Sequence, residues 1–141
     1  MAYQKKNNDK KNFPKNVSME FEMYMGVVGP RQYDPAELVE FMKEIPFNKI
    51  SIPVMAPKSV VFGDDTKMGS TRVGYITDVV YETDDDGDTV VGFKTVIYAK
   101  NSDAIGGMET PIMYPRVRVT DDGEIQTIIS FELGEAPEDD E

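Results

Sequence analysis

From residue 17 onward the chain alternates. Met19, Phe21, Met23 and Met25 share one parity while Glu20, Glu22 and Tyr24 share the other, the period-two pattern of a half-buried strand. Gly29-Pro30 ends that run. Asp34 then offers a helix N-cap, Pro35 suits the first helical position, and Glu37 follows three residues after the cap. Leu38, Phe41, Met42 and Ile45 recur at i, i+3, i+4 and i+7. This spacing predicts a helix over about 35–45 with one apolar stripe, too short to build a bundle and suited to covering a sheet.

The rest reads as strand. Lys49 to Met55 alternates weakly and contains Pro53, which predicts an edge or bent strand. Ser59 to Phe62 predicts a short strand. Arg72 to Glu82 and Thr89 to Lys100 are two long β-rich runs around Asp84-Asp85-Asp86-Gly87-Asp88, a strong hairpin signal. Asn101 to Met108 reads as a loop. Ile112 to Val119 and Ile125 to Leu133 predict a second hairpin around Asp121-Asp122-Gly123, with Ile125, Thr127, Ile129, Phe131 and Leu133 on one face. Phe21, Phe41, Phe62 and Phe131 are expected in the core. With no βαβ rhythm, the expected class is mainly β (α+β). The architecture is a small antiparallel barrel or a strongly curved sheet, OB-like or SH3-like, with one covering helix.

Charge divides the 141 residues into three zones. Residues 1–16 carry +4 among asparagines and glutamine and are expected to form a basic disordered arm. Residues 17–133 are expected to form a single globular β-rich domain. Six carboxylates and no cation lie between Glu132 and Glu141, so 134–141 reads as an acidic disordered tail. The stretch between arm and tail is itself acidic, and the whole chain carries −11.

Composition removes several chemistries. Without His or Cys there is no Ser-His-Asp or Cys-His site, no thiolate metal site and no disulfide. Glycines form no phosphate-cradling motif. With Gly87 at the sixth position of a calcium loop, the twelfth is Phe93, where a bidentate carboxylate is required. Asp64, Asp65 and Lys67 match a nuclease-like carboxylate-lysine pattern only locally. The expectation is therefore a non-enzymatic protein with no metal and no cofactor. No apolar run nears the roughly 20 residues of a membrane helix, and no secretory signal is visible, so a cytoplasmic protein without membrane contact is expected.

Two ligand classes fit what remains. The first is single-stranded DNA or RNA, stacked on aromatic rings of a β-face with cations nearby. Its candidates are Arg72, Tyr75, Tyr81, Lys94, Tyr98, Tyr114, Arg116 and Arg118, with Lys5, Lys6, Lys10 and Lys11 of the arm gripping phosphates. In layout alone, a basic arm, a β-rich body and an acidic tail, the chain is similar to phage and bacterial single-strand-binding proteins. The second class is a basic host protein. Asp84, Asp85, Asp86, Asp88, Asp139 and Asp140 would engage the basic groove of a nucleic-acid-handling enzyme, as an inhibitor or adaptor resembling a DNA mimic. A short lysine-, asparagine- and aspartate-rich chain suits a phage protein, and a structural or assembly subunit is a third reading.

Overall fold

The computed structural model describes residues 15–26 and 33–137. The body is mainly β. Six strands form one sheet: β1 (Val17–Glu22), β2 (Ile52–Pro57), β3 (Ser70–Thr83), β4 (Thr89–Ile97), β5 (Pro111–Val119) and β6 (Ile125–Glu135). Their spatial order is β1-β4-β3-β2-β6-β5. Every pairing is antiparallel except β2 with β6, which is parallel, so the expected all-antiparallel sheet is corrected to a mixed one.

The expected barrel is also corrected, because the sheet is not closed. Its two edge strands approach at one point, where the Tyr24 N–H donates to the Met113 carbonyl (2.8 Å) in a single Met23–Met113 bridge. The sheet is curved, and four breaks in register supply bends of the kind β-bulges produce. On β3 they fall at Val73, facing β2, and at Thr77, facing β4. On β6 they fall at Gln126 and Ile129, facing β5.

The core lies on one face. Phe21, Val54, Ile76, Val91, Phe93, Ile97, Met113, Phe131 and Leu133 are buried there, with the Phe93 and Phe131 rings 4.6 Å apart between centroids. Helix α1 (Pro35–Lys43) covers this face with Leu38, Val39 and Met42 buried and Phe41 and Ile45 packed beside them, as the helical spacing predicts. Asp34 caps it by accepting the Ala36 N–H at 2.9 Å.

Three local expectations fail, the third only in part, for identifiable reasons. The segment expected as a short strand is helix α2 (Lys58–Phe62), closed by Gly63 at φ +63°. A helical step of about 100° gives the core to Val61 and turns Phe62 outward, where it is 59% exposed rather than buried. The segment expected as a loop contains a 3₁₀ turn (Ala99–Asn101) and helix α3 (Ser102–Gly106), so among the described residues three α-helices stand where one was expected. Helix α3 packs on α2 and buries Ile105. Finally, of the two alternatives for the Pro53 strand the edge is excluded, because β2 is central, while a register break does lie beside it at Val54/Met55. The pairing of β2 with β6 involves only Val54 and Met55, so the missing Pro53 N–H interrupts no bond to that neighbour. The body extends to Glu135, two residues past the expected boundary, and the stop at Gly29-Pro30 lies outside the described residues. Among the described residues no helix is long and apolar enough to cross a membrane.

Candidate nucleic-acid interface

Strand register sorts the candidate side chains onto faces. On β4, Val91, Phe93, Thr95 and Ile97 point into the core, which leaves Lys94 and Val96 on the outer face. Tyr75 lies opposite Val96 and joins that outer face. Tyr98, just past the end of β4, stands beside it with ring centroids 6.4 Å apart and planes tilted by 50°. Farther across the same face runs a row through four strands. Arg72 on β3 lies opposite Met55 on β2, Met55 lies beside Glu132 on β6, and Glu132 lies opposite Tyr114 on β5. Arg116 and Arg118 follow Tyr114 along β5, both exposed.

Tyr81 departs from this group. It pairs with the fully buried Val91 and packs against the core. Desolvation by burial, and then the nearby Glu40 carboxylate, raise its pKa above the ordinary tyrosine value. The Lys43 ammonium lies 5.4 Å above its ring, so one face of the aromatic is already occupied.

Two cations of the outer face, Arg72 and Arg116, are hydrogen-bonded, and a third, Lys94, has acidic neighbours. Lys94 lies in register between Glu20 on β1 and Asp78 on β3. Arg116 donates to the Glu132 carboxylate at 2.9 Å, and Glu132 accepts a second bond from the Ser70 hydroxyl at 2.6 Å. The Arg72 guanidinium donates to Ser51 Oγ (3.1 Å) and to the Gly74 carbonyl (3.2 Å). Anions thus interleave with cations, and the face offers rings more than it offers net positive charge.

Sequence reasoning passed over Tyr24, whose ring lies 5.0 Å from that of Tyr114. Its parity, opposite to Met23 and Met25, was the available signal. The Tyr114 hydroxyl donates to the Glu135 carbonyl at 2.8 Å. Burial, followed by the neighbouring Tyr24, raises the Tyr114 pKa.

The acidic candidates of the β3–β4 turn form a separate, compact tip. Gly87 takes φ +85°, and Asp84 Oδ1 accepts the N–H groups of Asp86 (2.9 Å) and Asp88 (2.8 Å). The exposed carboxylates of Asp84, Asp86 and Asp88 lie within 4.8 Å of one another, and Asp85 is exposed beside them. Lys5, Lys6, Lys10, Lys11, Asp139 and Asp140 lie outside the described residues. No family model matches the chain, and no curated protein or solved structure is significantly similar to it.

Proposed function

We propose that the outer face of the sheet binds single-stranded DNA or RNA without catalysing a reaction, mainly by stacking bases on Tyr75 and Tyr98. The observation that carries this reading is the gathering of seven of the eight described candidates on one face. Tyr75, Tyr98 and Tyr114 stand there with Arg72, Lys94, Arg116 and Arg118, although they come from three separate strands and a loop. Each stacked base contributes about 1–3 kcal/mol in such sites.

Because carboxylates flank Lys94 and Arg116, phosphate contacts on the body are few. A single strand held through about two of them gives a salt slope near −1.4, at about −0.7 per contact. Phosphate contacts from Lys5, Lys6, Lys10 and Lys11 would steepen it.

The test is fluorescence anisotropy of a labelled oligo(dT) titrated with the protein at low and near-physiological salt. Saturable binding is expected, with Tyr75→Ala and Tyr98→Ala each weakening it about tenfold, roughly 1.4 kcal/mol, while the fold persists. Absence of binding at low salt overturns the proposal. The compact Asp84–Asp86–Asp88 tip supports the second reading, a basic protein partner occluded by these carboxylates. In that case Asp→Asn changes at the tip weaken capture of the partner, and the tyrosine variants do not.

A further inference from the structure

On the opposite side of the molecule, helix α1 and the turn entering β6 flank an open, shallow groove of about 480 Å³. Phe41 and Ile125 supply its apolar floor, both partly buried against the core. Glu37, Glu40 and Glu124 stand exposed around it. Glu40 accepts a bond from Lys43 at 3.2 Å, whereas no cation among the described residues is bonded to the carboxylates of Glu37 or Glu124. An apolar floor ringed by carboxylates is complementary to a short segment that carries an aromatic ring next to ammonium groups.

The chain contains such a segment, Tyr3-Gln4-Lys5-Lys6. We infer that it docks in this groove within the same molecule, with the Tyr3 ring over Phe41 and Ile125 and the two lysines against the glutamates.

Reach permits it. Asn16 is fixed by the Ala99 N–H, which donates to its side-chain oxygen at 3.0 Å. The next residue, Val17, shares one register row with Ile97, Gly74, Val54 and Phe131. Ile125 lies six residues from Phe131 along β6, about 20 Å, and β6 is four strand spacings from β1, about 19 Å. The combined separation is about 28 Å, and the ten residues from Asn16 back to Lys6 span about 33 Å when extended. Tethering at this length supplies an effective concentration on the order of millimolar, which favours the segment of the same molecule over that of a second one. The inference does not depend on nucleic-acid binding.

The absence of native cysteine allows a direct test. A nitroxide attached to Ala2→Cys in the full chain should broaden the amide signals of Phe41, Glu124 and Ile125 to below half intensity. The broadening should fade in 0.5 M salt, with its Debye length of about 4 Å. It should also vanish in Glu37→Lys/Glu124→Lys. Glu37→Gln/Glu124→Gln serves as the gentler pair, with unchanged shifts at Phe93 and Leu133 confirming the fold. Broadening that survives charge removal, or no broadening at all, overturns the inference. In a mixture of spin-labelled and isotope-labelled molecules, broadening of equal strength would assign the groove to a second copy and overturn docking within one chain.

Discussion

Two tyrosine pairs occupy the outer face, and they are built differently. Tyr75 and Tyr98 stand on the β3–β4 side, tilted against each other, and among the described residues no hydrogen bond ties either hydroxyl. Tyr24 and Tyr114 stand at the β5 edge in a fastened corner. There the Tyr114 hydroxyl is bonded to Glu135, its ring edge lies over Gly134, and the strand edges meet at Met23 and Met113. A ring held by hydroxyl and edge works for the fold. A ring without those ties has a face to offer to a ligand. The same residue type on the same face is therefore tied into the fold in one pair and left untied in the other, and the proposed stacking rests on the untied pair.

Glycine sharpens this contrast, because each pair has one close by. Gly74, next to Tyr75, lies so near β4 that a Cβ there would fall 2.0 Å from the Val96 carbonyl oxygen. Backbone cannot swing aside as a side chain can. Gly74→Ala should therefore cost about 3 kcal/mol, seen as a drop in melting temperature of about 10 °C. Removing the neighbouring ring with Tyr75→Ala should not rescue it. A Gly74→Ala protein of native stability would mean that β3 and β4 separate easily, and the scaffold under Tyr75 and Tyr98 would then be soft.

Gly134 offers the milder case. A Cβ there would meet Tyr114 Cε2 at 3.1 Å and Cδ2 at 3.4 Å, a crowding that a side chain relieves by a small shift. Gly134→Ala should cost about 1 kcal/mol in the native background. In Tyr114→Ala it should be neutral or stabilising, since alanine restricts the unfolded chain more than glycine does. Denaturant melts of the four proteins give the coupling directly. If Gly134→Ala costs the same in both backgrounds, the ring does not rest on that glycine, and the two tyrosine pairs lose their distinction. Tyr114→Phe, which removes only the hydroxyl bond, should cost about 0.5–1 kcal/mol and leave oligonucleotide affinity unchanged.

These contrasts also mark how far the sequence could be read. Alternation placed Met19, Phe21 and Met23 on the core side correctly, because β1 pairs with β4 in unbroken register. Where register breaks, parity stops working. Tyr75 and Tyr81 are six residues apart on one strand and should share a face, yet the break at Thr77 sends Tyr75 out and Tyr81 in. The break at Ile129 likewise exposes that residue and buries Ile128, where alternation put Ile129 inside. Nothing in the composition of either strand announces these breaks, which are fixed by pairing with distant partners. Phe62 illustrates a second limit, since a five-residue segment is too short for periodicity to separate strand from helix. The interleaving of Glu20 and Asp78 around Lys94 was illegible for a third reason: it requires the strand order.

The smallest expected effect lies at the fastened corner, and pH isolates it. The Glu135 carboxylate accepts the Thr110 N–H at 2.7 Å, the Thr110 hydroxyl at 2.9 Å and the Glu109 N–H at 3.2 Å, tying the entry of β5 to the end of β6. Those bonds, led by the Thr110 N–H, favour the charged form and hold its pKa below the ordinary value of 4.5. A carboxylate with a lowered folded-state pKa contributes stability that is complete above its unfolded-state value and disappears as pH falls through the folded one. The difference in unfolding free energy between the native chain and Glu135→Gln should therefore stay constant from pH 7 down to about 4.5 and close below it. Shifts common to both proteins, including that of Asp64, whose carboxyl is lowered by the Thr66 hydroxyl, cancel in the comparison. A gap that persists unchanged to pH 2 would show that the ionised carboxylate does not hold this loop. The fastening of Tyr114 would then rest on its own hydroxyl bond and on Gly134.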